Sequence, residues 1–205
     1  MSNVDRAFGL RFIGLLSGEA ENVAIKRYRV YDSNAVYIGD PVERVTSGTA
    51  LATPGLNQID GTMFCKRAGG GDAQSILGVV VGIAFKPTDL AMNYVSAVDA
   101  ALGTIDVYVC IDPLALYEIQ ADVTGIAYTD MGKNCLMTVT AGSTVTGLSK
   151  CVATGASANG SYPLLLMGYP KDPKNDITSA PYVRVIVRIN NQQLMTAGDV
   201  AALGV

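Results

Sequence analysis

The chain contains no histidine and no tryptophan. Without histidine it lacks the commonest general base near neutral pH, the usual partner of a serine or cysteine nucleophile, and the commonest metal ligand. Most hydrolytic mechanisms are thereby closed, and no enzyme activity, cofactor or metal is expected. Charge is also scarce: Asp, Glu, Lys and Arg make up 16% of the 205 residues, against roughly 25% in an average globular protein. Long apolar runs are missing too. The longest, 76–85, includes Gly78 and Gly82 and is about half the length a membrane-crossing helix needs. Met1 to Arg6 shows no basic stretch leading into an apolar one, so neither a secretory leader nor a membrane partner is expected. The four cysteines, Cys65, Cys110, Cys135 and Cys151, are widely spaced and form no C-x-x-C pair. A zinc knuckle therefore has no support, and they read as reduced thiols packed as small apolar side chains. A net charge of −3 and a pI near 4.9 lack the basic footprint that displaces counterions from phosphates, so no nucleic-acid partner is expected. Positive charge concentrates only at Lys26-Arg27-Tyr28-Arg29, which reads as a solvated strand face or an interface rim.

What is present is apolar and interrupted. Hydrophobic residues reach 49% and mean hydropathy is +0.30. A chain with so few charges and no membrane span leaves apolar area on its surface, and other protein molecules are the expected cover. The 22 glycines and 8 prolines break the chain into short segments rich in Val, Ile, Tyr and Thr, the pattern of many short strands. Strands are expected over 8–15, 24–31, 35–38, 42–46, 62–67, 76–85, 104–110, 116–120, 136–140, 148–152, 164–168 and 182–189. In the last, Val183, Val185, Val187 and Ile189 alternate with Arg184, Ile186 and Arg188, which predicts one buried face and one mostly cationic face. The run 76–85 is apolar on both faces and reads as a central strand. Leu90, Tyr94, Val98 and Leu102 recur at helical spacing between Asp89 and Gly103, so one short helix is expected over 89–102. Stretch 153–162 reads as a small polar loop and 170–181 as a charged surface loop. Residues 1–12 read as an extended N-terminal arm, too short and irregular to hold a core of its own, and 13–205 as a single β-rich domain.

Few groups remain for chemistry. Asp112 with Glu118, or Asp40 with Glu43, would supply a carboxylate pair of the kind that cleaves glycosides. However, Asp112-Pro113 and Asp40-Pro41 read as turns at strand ends. Gly69-Gly70-Gly71-Asp72 is followed by no Gly-Lys-Ser/Thr and opens no helical pattern, so it reads as a loop tip rather than a phosphate cradle.

Several blocks, in this order, resemble a family of capsid decoration (cement) proteins of tailed bacteriophages. They are Asn3-Val4-Asp5-Arg6-Ala7-Phe8-Gly9-Leu10-Arg11, Tyr37-Ile38-Gly39-Asp40-Pro41-Val42, Ile76-Leu77-Gly78-Val79-Val80-Val81-Gly82, Val107-Tyr108-Val109-Cys110-Ile111-Asp112-Pro113, Tyr117-Glu118-Ile119-Gln120, Gly142-Ser143-Thr144-Val145-Thr146-Gly147 and Val187-Arg188-Ile189-Asn190-Asn191. The stretch matching 89–102 is extended in that family, which departs from the helical spacing seen here. The resemblance implies a mainly β, single-domain sandwich or jelly-roll-like barrel of about ten to twelve strands. It further implies a virion structural protein on the outside of an HK97-type capsid, bridging major capsid subunits, and present in the host cytoplasm during assembly. Partners would be the major capsid protein and further copies of the chain, as a homodimer or homotrimer. The expected contact residues are Asn3, Asp5, Arg6, Phe8 and Arg11 in the arm, and Arg184, Arg188, Asn190 and Asn191 on the last strand and the tail that follows it. Two alternatives stay open: another phage structural subunit, tail- or fibre-associated, and a β-sandwich adhesin or carbohydrate-binding module.

Overall fold

A computed structural model describes residues 3–18, 23–45, 62–86, 88–178 and 181–194. Among these residues the protein is mainly β, with eleven strands in two sheets. The strands are β1 (Arg11–Leu15), β2 (Ile25–Val30), β3 (Pro41–Arg44), β4 (Phe64–Arg67), β5 (Gly78–Ile83), β6 (Asp106–Cys110), β7 (Ala115–Gln120), β8 (Asn134–Thr138), β9 (Val152–Ser157), β10 (Leu164–Gly168) and β11 (Arg184–Ile189). One sheet is antiparallel in the order β1-β7-β11-β10-β8-β9. The other, β2-β4-β3-β5-β6, closes into a five-stranded barrel in which only β2 and β4 run parallel. Thr46, the end of the expected strand 42–46, lies outside the described residues.

The pleat explains how the two sheets join. Successive side chains of a strand point to opposite faces, so β5 sends Val80 into the barrel core with Tyr28, Val42 and Leu77, while Val79 faces the core beneath the six-stranded sheet. On β6, Val107 and Val109 fill the barrel and Cys110 faces the other way. The β5–β6 pair is thus a wall common to both cores, which is why its run is apolar on both sides. Gly78 stands at a close crossing, where a Cβ would collide with the carbonyl of Cys110. Val183, Val185, Val187 and Ile189 are all buried beneath the sheet, as their alternation predicts.

Three local expectations change. The helix is α1, Ala97–Leu102 only, capped by the Ser96 hydroxyl accepting from the Asp99 N–H and ended by left-handed Gly103. The stripe that suggested a longer helix faces outward, with Leu90 77% and Val98 71% exposed, while Met92, Val95 and Ala100 are buried. Tyr94 stacks on Tyr37 at 5.1 Å. Stretches 35–38 and 148–152 hold isolated bridges, Val36 to Val95 and Ile38 to Leu148, rather than strands. The polar stretch after Cys151 instead begins with β9, whose Ala153 and Ala156 are small enough to lie flat against β8. The tip 69–72 is a turn tied down by the Ser161 hydroxyl donating to Asp72 at 2.6 Å.

All four cysteines are free and buried. Burial raises their thiol pKa values, that of Cys135 to about 12. The thiolate is the reactive form, so iodoacetamide should label none of the four in the folded protein during a time that labels all four in urea. Mass spectrometry counts the adducts, and rapid labelling of folded protein would contradict this packing.

Candidate functional site

The N-terminal segment is fastened along the six-stranded sheet. Leu10 is 1% exposed within its core, and β1 pairs with β7 through Arg11 opposite Glu118 and Phe12 opposite Tyr117. The division drawn at residues 12 and 13 therefore falls inside β1. Upstream, Gln120 at the end of β7 works as a clasp: its side-chain N–H groups donate to the carbonyls of Val4 (2.7 Å) and Tyr182 (3.2 Å), and its Oε1 accepts from the N–H of Arg6. Asn3 donates to the carbonyls of Asp176 and Pro181 and accepts from the Asp176 N–H. Asn175 holds the same loop to β11 through both backbone groups of Arg184, at 2.8 and 2.9 Å.

These fastenings border a cavity of about 570 Å³, open to solvent, between the segment and the loop before β11, lined by Asn3, Val4, Arg6, Phe8, Arg11, Gln120, Asp172, Lys174, Tyr182 and Arg184. Beneath it the buried Glu118 carboxylate takes Arg11 on one oxygen and Arg184 on the other (3.0 Å), and Arg184 reaches Asp172 at 2.6 Å. The Arg184 and Lys174 contacts hold the carboxyl pKa of Asp172 below its ordinary value. The Arg11 guanidinium also lies over the Phe8 ring, 5.0 Å from its centre. A second cavity of about 300 Å³, lined by Phe8, Leu10, Arg11, Phe12, Ile38, Gly39, Val80, Val81 and Leu148, flanks the first and shares Phe8 and Arg11 with it.

Of the expected contact residues, the structure brings together Asn3, Arg6, Phe8, Arg11 and Arg184. Asp5 is exposed but does not line the cavity. Arg188 lies across Leu116 and Leu165 on the same sheet face, and its Nε is buried with no hydrogen-bond partner among the described residues. Asn190 and Asn191 serve the backbone, donating to the carbonyls of Gly160, Tyr162 and Gln74. Sequence reasoning missed Gln120, Asp172, Lys174 and Tyr182. The charged loop 170–181 was the one signal for two of them, and nothing local marks Gln120 as a clasp.

Other candidates are engaged structurally. Asp112 caps its own turn through the N–H of Leu114 (2.8 Å), and Glu43 pairs with Lys66 at 3.1 Å. Within the basic cluster on β2, Arg27 and Arg29 close on buried Asp106, and Tyr28 points into the barrel. Among the described residues no group of three or more His, Cys, Asp or Glu is placed to hold a metal, and no helix is long and apolar enough to cross a membrane.

Removing Glu118 tests the floor of the cavity. Losing one partner of a buried pair costs about 3–5 kcal/mol, but the Arg11 side chain is 58% exposed and water screens its share. Glu118→Ala should therefore destabilise by about 2 kcal/mol in urea denaturation, with Glu118→Gln losing about half as much because it keeps an acceptor for Arg184. A neutral result for both would mean the triad is ornamental. No family model, curated protein or solved structure matches the chain.

Proposed function

We propose that the chain is a virion structural protein that binds the outer surface of an HK97-type phage capsid and stabilises it by bridging neighbouring major capsid subunits. The observation that supports this best is the convergence of residues 3–11 and Arg184, far apart in sequence, on one cavity-bearing face. Sparse charge and outward apolar side chains such as Val4, Ile13, Phe85, Leu90, Val98 and Leu102 suit a protein meant to be covered. A cement protein works by burying its own surface across a seam, so that opening the seam must also break the added contacts. A standard interface buries roughly 1,600 Å², and gripping several subunits at once multiplies the effect without a new kind of contact. As part of the same proposal, the sheet and barrel together are a variant of the sandwich or jelly-roll-like cement domain, and the working form is a homodimer or homotrimer.

The test is co-sedimentation and cryo-electron microscopy with purified phage heads. The protein should bind expanded heads and leave compact precursors bare, because its footprint spans a seam whose geometry changes on maturation. Equal binding to both forms, or to neither, overturns the proposal. The carbohydrate-binding reading has one observation in its favour: Tyr128 is 69% exposed and lies parallel to Tyr169 at 6.1 Å, a flat aromatic surface. Glycan-array binding lost on Tyr128→Ala would favour it instead.

A further inference from the structure

We infer that the paired cavities beside β1 receive an acidic polypeptide segment, whose carboxylates meet Arg6 and Lys174 and whose neighbouring apolar side chain enters the pocket behind Phe8. The segment's membership of a capsid subunit rests on the reading above; its chemistry does not.

The inference follows from which polar groups are already occupied. Asn3 and Gln120 are used in fastening the segment, while Arg11 and Arg184 are held by Glu118 and Asp172. Arg6 and Lys174 are exposed and have no ion-pair partner among the described residues, although both line the larger cavity. Four cations line the larger cavity against one carboxylate in its wall, Asp172, and one beneath it, Glu118, so the site is locally positive in a chain whose net charge is −3. Such local reversal attracts an anion and fixes its orientation. Its volume falls within the roughly 300–1,000 Å³ of ordinary ligand pockets. The adjoining pocket is walled by Phe12, Ile38, Val81 and Leu148, so the occupant carries an apolar group next to its charge. Inorganic phosphate has no such group. A nucleic acid would need a basic track continuing beyond the cavity, which the chain's charge does not provide. A peptide with acidic residues flanking Leu or Phe supplies both features.

The probe is a fluorescein-labelled peptide, Asp-Glu-Leu-Phe-Glu-Asp, titrated with the full chain at low salt and read by anisotropy. Saturable binding is expected, weakened about tenfold or more in the double variant Arg6→Glu/Lys174→Glu and by a similar factor when Leu-Phe in the peptide becomes Ser-Ser. Inorganic phosphate and a single-stranded oligonucleotide of matched charge should not displace it. Circular dichroism and the unfolding midpoint establish that the double variant is folded. Absence of binding, equal binding by the double variant, or displacement by phosphate or oligonucleotide overturns the inference. Head co-sedimentation separates the two claims. Peptide binding without head binding refutes the capsid reading alone, and heads decorated equally by wild type and double variant refute the acidic-segment role alone.

Discussion

Gly9→Val should destabilise the protein by about 4 kcal/mol. Gly9 has φ +75°, where a β-branched residue costs roughly 1–3 kcal/mol. A Cβ built there would lie 2.7 Å from the Gly39 carbonyl and 2.8 Å from the Ser149 hydroxyl, so backbone has to move, at a further 1–3 kcal/mol or so. The place matters as much as the clash. At this point the Leu10 N–H donates to the Gly39 carbonyl (2.9 Å), and Gly39 and Ser149 are themselves tied to Val80 and Ile38. The N-terminal segment, the turn before β3, the wall strand β5 and the 142–149 loop meet here within one hydrogen-bond network. Pushing the segment away also threatens the burial of Leu10, worth about 2 kcal/mol. Urea denaturation measures the loss. Gly160→Ala, with open space around it and ordinary φ, serves as the control and should stay within about 0.5 kcal/mol of wild type. A mild effect at Gly9 would mean the segment is not held as described.

The second large effect is one of pH. Asp40 is fully buried in the turn next to this junction, with one oxygen accepting from the Tyr37 N–H at 2.9 Å and the other without a hydrogen-bond partner among the described residues. Desolvation raises its pKa from 3.8 to about 6, against the opposing pull of the Ser149 hydroxyl, the Tyr37 N–H and Arg67, and with some help from Asp32. A carboxyl that binds its proton more tightly folded than unfolded contributes stability below its unfolded pKa. That contribution is lost as pH rises through the folded value. Two pKa units correspond to roughly 3 kcal/mol in all, about half of it lost between pH 5 and 7.5. With no histidine in the chain, this window is quiet enough to show it. Melting temperature should fall by about 4 °C across the window. Asp40→Asn should flatten the profile and be the more stable protein at pH 7.5, and an unchanged slope in the variant would place the titration elsewhere.

Strand character was legible wherever burial on one face forces alternation. The β11 arrangement follows from Val183, Val185, Val187 and Ile189 alone, and the two-faced β5 follows from an unbroken apolar run between turns. Where the cause is a distant partner, the chain carries no local mark. β9 carries Ala153, Gly155 and Ala156 at its centre, residues of weak strand preference that become a strand because β8 lies beside them. The same holds for barrel closure, which depends on the parallel pairing of Arg29 with Phe64. Helical spacing misled at 89–102 because Leu90, Val98 and Leu102 repeat on the outside, where periodicity reports a covered face only if something covers it. Of the ten lining residues, Asn3, Arg6, Phe8 and Arg11 were legible in the first eleven positions and Arg184 on the alternating last strand. The rest depends on Gln120 and on a loop whose position is set by Asn3 and Asn175, contacts no reading of neighbours would find.

The pairing of β1 with β7 also has a consequence for biosynthesis. Arg11 waits for Glu118, 107 residues later in the chain. At about 5–20 residues per second, a ribosome exposes the first strand for roughly 5–20 s before its partner exists. The other wall of the cavity, at Asp172 to Arg184, is made later still. Arg184 must have emerged before that pocket can form, so the pocket is completed late in synthesis even though its first residues are made at the start.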